Sequence, residues 1–493
     1  MEVAVMAAYE KLTEMFKLIS DNENTIHQLK LDLQLKPAAT KVEADERAAK
    51  IKRLSVMLYD SLKNEDIADL FEEAASISSE SLDQWQQKNL QLMWETYQRE
   101  ANIPSEIVGN AAEATASFTA AHPQLKANND WQGWSGHLKE VVKPMQQKAA
   151  VLQEHLKSET PYDAMLSWYT GGTTAQELED LFQPFEEAFP KLLQNALTKQ
   201  KHEGALEPLP IISQEKQADL SRKILTMMGF DFNRGSLRIH ESVFCETVNG
   251  HTFVQMRIEP ENILTMIRAT CHEGGHALYH QGLPKKWDGQ PVAEVQSYLV
   301  SEMVAYFYEF HIATHPAFLS WVATEVGMDA NLLMAHAKQV TPSTVSYECD
   351  ELSLSVHPLI RFPFDKGLIN GDIDIDSIPK KFNAKTALLL GTHSGEVYSR
   401  GVMAPVHWSK GLFGYFPIYL AALMAAAQLS KAVDVRNLMA QYSTEHGLYI
   451  IKNALEDTVF SQGSFLSTND LIKKATGTEL SSADLIEHFR NRY

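Results

Sequence analysis

Cysteine is scarce in this chain: Cys245, Cys271 and Cys349 are the only three in 493 residues, and no two of them share a paired spacing. An odd, sparse set excludes a disulfide framework and points to a reducing, cytoplasmic setting. Positive charge is also short, with 44 Lys and Arg against 63 Asp and Glu, a net charge of −19, and no concentrated basic run. That balance argues against nucleic acid and anionic membranes as partners, and a solvated acidic surface accounts for it. The N-terminal stretch "MEVAVMAAYEKLTEMFK" has Glu2 where a secretory leader would be basic, and its apolar run is short, so it reads as the start of a helix. Low-complexity linkers and internal repeats are lacking. Only Gly411 to Ser430, "GLFGYFPIYLAALMAAAQLS", is long enough without charge to span a bilayer. Its Pro417, its glycines and alanines and the polar "HWSK" before it favour a buried core helix instead.

With 44% hydrophobic and 22% charged residues, the composition is that of a globular protein with ample length for a large core. Apolar positions recur at helical spacing through residues 1–110, 140–200, 290–340 and 410–460. The stretch "EGALEPLP", 203–210, reads as a connection and not a domain boundary. One interval breaks the helical pattern. "SLRIHESVFCETV" and "HTFVQMRIEP" flank Asn249-Gly250, β-branched and aromatic on both sides of a turn that demands positive φ. A hairpin is expected there, ended by Pro260. A helix follows in "ENILTMIRATCHEGGHALYHQG", with Ile263, Leu264, Ile267 and Ala269 on or near its apolar face.

That helix carries "HEGGH". Positions i and i+4 face the same way, so His272 and His276 can direct imidazole nitrogens at one ion. Glu273 lies one residue round, where it can take a proton from metal-activated water and pass it to a leaving amine. Chance produces the pattern rarely: 18 His and 63 acidic residues in 493 give roughly 0.08 expected matches. Downstream, "SYLVSEMVAYFY" holds a single charge, Glu302, on an otherwise apolar helix. Burying it is unfavourable unless it is paired or bound to metal, which makes Glu302 the candidate third ligand. Glu294 and Glu309 are rivals in what read as more polar surroundings, and an amphipathic helix pointing Glu302 to water is the bland alternative. A His-His-Glu set with an open fourth position is a catalytic type of zinc site. A hairpin edge beside such a helix can hold an extended peptide by backbone hydrogen bonds.

The motif continues as "HALYHQGL", and "GQPVAEVQSYLVSEMVAYFYE" follows. These segments resemble those of the M32 metallocarboxypeptidases, the carboxypeptidase Taq family, whose zinc motif typically runs on as HALYEQG. Aligned through Gly289 and Pro291, the family's third ligand falls on Glu302, 26 residues after His276. "LIRFPFDKGLINGDI", "YECDELS" and "VHWSKGLFGYFPIYLAALMAAAQL" are also similar to family segments, in order and spacing. The resemblance is close over about 220–440 and looser over the helical region of about 1–210. It implies one mostly α domain spanning 1–493, with a deep groove and a small β-hairpin beside a zincin-like motif helix, commonly a homodimer. It also implies release of C-terminal amino acids from peptide substrates, using Zn2+ or sometimes Co2+. His407 and Tyr415 fall where the family has polar active-site groups, donors suited to an oxyanion, and Tyr419 is a weaker candidate of the same kind.

The departures concern the substrate side. Ser242-Val243-Phe244 replaces a His-Pro-Phe signature, and "HTFVQM" supplies neither the Asp nor the Arg of an Asp-x-Arg-x-Thr signature. Ser346 replaces an arginine in "VSYECD", where Asp350 is kept, and Ala404-Pro405 replaces a Gln-Asp pair beside the retained Gly401, His407 and Trp408. An exopeptidase recognises the terminal carboxylate with a cation, usually arginine. Arg238, Arg257 and Arg361 remain nearby in sequence, and Arg257 would substitute if the strand shifted. Without a replacement the site would accept longer chains as an endopeptidase. A scaffold that binds peptides without cleaving them is a further alternative, against which the survival of Glu273 argues. Gly274 and Gly275 together disfavour the helix by about 2 kcal/mol relative to alanine. Only Gly274 departs from the family, and its missing side chain is expected to open space near the metal.

Overall fold

The computed structural model describes residues 2–35, 40–63, 65–75, 82–240 and 243–493. It is mostly helical, with one three-stranded sheet among the described residues. Ser242 lies outside them. The chain forms two compact units, each assembled from discontinuous stretches.

The first unit comprises the chain up to Ala175, Lys285–Glu294 and Ile360–Phe416. Its long helices include Glu2–Leu35, Lys41–Leu62, Gln84–Glu100, Ser105–Ala127 and Trp131–Leu156. Glu2–Leu35, Lys41–Leu62, the shorter helix Glu65–Ala75 and Gln84–Glu100 share a core that includes Leu12, Phe16, Ile51, Ile67, Phe71 and Met93, all nearly inaccessible. Each such side chain contributes about 1.5–3 kcal/mol by leaving water. Helix starts are written into the sequence: Asp83 and Gln86 form a reciprocal capping box, as do Thr160 and Asp163. The same unit contains the turn from His407 to Tyr415. Asp365, fully buried, accepts from Trp408 Nε1 at 2.7 Å, from the Gly414 N–H at 2.6 Å and from Tyr162 Oη at 2.9 Å. One carboxylate thus ties both ends of that turn to the helix Pro161–Thr170.

The second unit comprises Gln176–Pro284, Val295–Leu359 and Pro417–Tyr493. Its sheet has strands β1 (Gly235–Ile239), β2 (Phe244–Val248) and β3 (His251–Met256) in the order β1-β3-β2. β2 and β3 form the expected hairpin, with Asn249 and Gly250 at φ 51° and 74°. Two consecutive positive φ values make the tight turn whose twist matches that of antiparallel strands. "SLRIHESVFCETV", however, is not one arm of the hairpin. It breaks into β1 and β2, and β1 pairs in parallel with the far side of β3. Alternation alone could not reveal this, because parallel pairing needs a partner strand placed by the tertiary fold.

The motif helix runs from Ile263 to Gly282, capped by Asn262, whose side chain accepts from the Thr265 N–H. Its buried face is Ile263, Met266, Ile267 and Thr270; Leu264 and Ala269 are only half-buried. The apolar helix Tyr298–Tyr306 follows and runs into a π-helical turn, Phe307–Ile312. No single described helix is long and apolar enough to cross a membrane. Phe416–Ala432 buries Ile418 and every residue from Leu420 to Ala427, as a core helix does.

Candidate metal centre

His272 and His276 leave the motif helix side by side, and Glu302 meets them from the helix Tyr298–Tyr306. One ligating atom from each of the three lies within 4.8 Å of the other two. Glu302 Oε2 is 3.6 Å from His272 Nε2 and 3.9 Å from His276 Nε2. Tetrahedral zinc with bonds near 2.0–2.2 Å separates its ligand atoms by roughly 3.4 Å, so small side-chain movements complete the set. The opposite ring nitrogens are already committed. His272 Nδ1 is 2.9 Å from Glu309 Oε2, and His276 Nδ1 is 2.8 Å from Ser301 Oγ. Partners at Nδ1 leave Nε2 as the ligating atom of both rings, the arrangement metal-bound histidines use. Burial holds His276 well below the usual histidine range, with His272 and His280 adding to this, so it offers a neutral imidazole. These side chains fit a zinc-type ion.

The close approach of the two helices depends on Gly275. A Cβ there would lie 2.9 Å from Ala305 Cα and 3.0 Å from the Val304 carbonyl oxygen, both backbone atoms of the neighbouring helix. Without that approach Glu302 would stand farther from the histidines. Gly274 behaves differently. Its missing side chain opens no space, because Met228 and Leu225 from the helix Gln214–Met228 occupy it, their atoms 2.7 and 2.9 Å from where a Cβ would sit. The glycine pair is therefore a packing feature on two faces of one helix.

Glu273 is buried beside this set, and the backbone of Cys245 in β2 donates to its carboxylate. Burial pushes Glu273 up to about 7; His272 opposes, Glu302 and Glu309 add to the rise, and the Cys245 N–H opposes. A carboxylate poised near neutrality suits proton transfer in both directions. Tyr306 packs edge-on against His272 with ring centroids 5.2 Å apart, and Tyr419 packs against Tyr306 at 6.1 Å. Burial, then Glu302 and Glu273, raise the Tyr419 hydroxyl well above its ordinary value, which keeps it a donor.

Glu309 is buried, and its surroundings are polar, as the sequence suggested. It stands behind His272, and Arg268 donates to its Oε1 from Nε at 3.1 Å and from a terminal nitrogen at 2.8 Å. Spacing carried a signal for both residues: Glu309 follows Glu302 by seven positions, two helical turns, and Arg268 precedes His272 by four. Ser301 had no such signal. Glu294 lies in the first unit, raised to about 7 by burial.

His407 and Tyr415 also belong to the first unit, their rings 5.4 Å apart. Burial, with Lys410 and Arg361 nearby, pushes His407 down to about 3, so its imidazole is neutral. The remaining arginines all have neighbours. Arg238 stacks on Phe253 at 4.1 Å, Arg257 pairs with Glu259 at 2.9 Å, and buried Arg361 lies over Phe382 at 5.1 Å. Asp350 accepts from the Ser353 and Thr341 N–H groups and so shapes its own loop.

Known proteins are similar to nearly the whole chain. Carboxypeptidase 1 of Bacillus subtilis is 27% identical over 504 residues, covering 98% of both chains, and thermostable carboxypeptidase 1 of Thermus thermophilus is 27% identical over 81% of both. Among solved structures, metallocarboxypeptidase 1 of Trypanosoma cruzi superposes with a TM-score of 0.90 at 26% identity, covering 99% of both chains. The family model described as carboxypeptidase Taq (M32) metallopeptidase matches residues 11–493, and this chain belongs to that family of peptide hydrolases.

Proposed function

We propose that the protein is a zinc-dependent carboxypeptidase that releases single amino acids from the C-termini of peptides. The observation that carries this reading is the His272–His276–Glu302 set, with both Nδ1 atoms engaged and Glu273 buried beside it. Zinc bound by those three side chains, or cobalt in its place, supplies Lewis acidity that polarises the scissile carbonyl and makes water a stronger acid. Glu273 takes the proton from the attacking water and delivers it to the leaving amine. The Cys245 N–H fixes the orientation of that carboxylate. Tyr419, held as a donor among the same carboxylates, supports a role in stabilising the oxyanion. His407 and Tyr415 take the same role on the strength of the family resemblance. β2 lies at the edge of its sheet, which suits an extended peptide held by backbone hydrogen bonds. The cytoplasmic setting rests on the sparse, unpaired cysteines, and homodimerisation and a single working domain over 1–493 rest on the family resemblance.

One observation favours a second reading, a metallo-endopeptidase or oligopeptidase. Arg257, the arginine nearest the missing one in sequence, is engaged by Glu259. A peptide and its C-terminally amidated twin, incubated with the zinc-loaded protein and followed by mass spectrometry, separate the readings. Stepwise loss of C-terminal residues from the free acid alone is expected. Equal internal cleavage of both would replace the exopeptidase with an endopeptidase. Silence from both, with zinc bound, would leave a non-catalytic peptide-binding scaffold.

A further inference from the structure

A second group of ligating side chains is built from different residues of the second unit. His311, Glu351 and His488 each offer one ligating atom, and these atoms lie within 4.8 Å of one another. They come from three separate stretches: the π-helical turn Phe307–Ile312, the short helix Glu351–Leu354 and the C-terminal helix Ala483–Arg492. Desolvating two imidazoles and a carboxylate in one place is unfavourable unless each finds a partner.

Glu351, 3% exposed, has its two oxygens in different company. Oε2 is 3.3 Å from Arg492 Nε, and Oε1 is 2.9 Å from His488 Nε2. Arg492 is anchored independently, donating to Thr314 Oγ1 at 3.0 Å and to the Ala337 carbonyl at 2.8 Å. Its guanidinium therefore holds one oxygen of Glu351 and leaves the other to the imidazoles. His311 completes the group. It is 9% exposed, and its ring centroid lies 4.6 Å from that of His488.

We infer that His311, Glu351 and His488 bind a second divalent transition-metal ion, of zinc or cobalt type, which pins the C-terminal helix to the turn that carries Glu309. Two imidazoles and one carboxylate select such an ion over calcium or magnesium, which take oxygen ligands. Arg492 fixes Glu351 as a supporting group fixes a ligand, but its charge repels the ion. The site is therefore weaker than the one at His272, His276 and Glu302.

Equilibrium dialysis against Co(II), with ions counted per chain by mass spectrometry, tests the site. Expected are two ions for the wild type, one for His272→Ala/His276→Ala, one for His488→Ala and none for the triple variant. The double variant leaves the second group untouched, so the test survives even if His488→Ala fails to fold. In that double variant the bound cobalt should show visible absorption of a low-coordinate ion, and Tm should rise with the logarithm of free cobalt. One ion in the wild type and none in the double variant, with Tm indifferent to cobalt, would overturn the inference.

Discussion

Glu309 Oε2 lies 2.9 Å from His272 Nδ1, while Arg268 grips Oε1 of the same carboxylate through two nitrogens. A carboxylate held from behind orients the ring and makes Nε2 a stronger ligand. Burial by itself would lower the pKa of His272; the hydrogen bond and charge of Glu309, then Glu273 and Glu302, raise it to about 9. Glu309→Gln should retain the fold and weaken zinc binding by roughly 10–100-fold. Competition with a chromophoric chelator measures this, and an unchanged affinity would deny Glu309 the positioning role.

Glu273→Gln removes the proton acceptor but none of the three ligand atoms. Zinc content should stay at the wild-type level while kcat for peptide release falls by at least about 10²–10⁴-fold. Metal analysis alongside steady-state kinetics separates this from simple loss of the ion. Activity near wild type with zinc bound would assign the proton transfer to another group.

The two glycines of the motif should respond differently to alanine. Gly275→Ala places a methyl 2.9 Å from Ala305 Cα, where backbone must move. The overpacking should cost about 1–3 kcal/mol, exceeding the helix-propensity gain of about 1 kcal/mol. Gly274→Ala meets only side-chain ends, Met228 Cε and Leu225 Cδ2, and methionine yields readily. Its effect should be near neutral. Chemical denaturation of the two variants checks the order, and equal unfolding free energy and zinc affinity in both would refute the close-approach explanation.

Acid should weaken the first unit through His122. This side chain is 4% exposed, and its Nδ1 accepts from Trp134 Nε1 at 3.1 Å. Burial, followed by Lys126 and Lys410, pushes it down to about 4. The unfolded chain takes up a proton below about 6.5, whereas the folded one does so only near 4. Stability is thus fully present above that range and falls by about 3 kcal/mol as pH drops through it. His122→Gln keeps an acceptor for Trp134 and does not titrate, so denaturation curves from pH 7 to 4 should show a shallower slope. An identical slope would remove His122 from the account.

Much of the site could be read from the chain itself, because the relevant constraint is local. The i, i+4 spacing of His272 and His276 forces both rings to one side of any helix that contains them. A lone Glu302 in an apolar run is hard to bury without a cation. Asn249-Gly250 admits few turns other than the one observed. Family segments then covered what spacing could not.

Tertiary structure decided the rest, for the reason that burial and partnership are properties of assembled elements. Sequence placed Glu309 among possible ligands, but only packing sets it behind His272, with Arg268 on its other oxygen. Sequence marked Gly274 as open space, and only the helix Gln214–Met228 shows it filled. β1 looked like part of a hairpin arm until parallel pairing with β3 claimed it. His311, Glu351 and His488 lie on three separate stretches with no shared motif, and folding alone makes them neighbours.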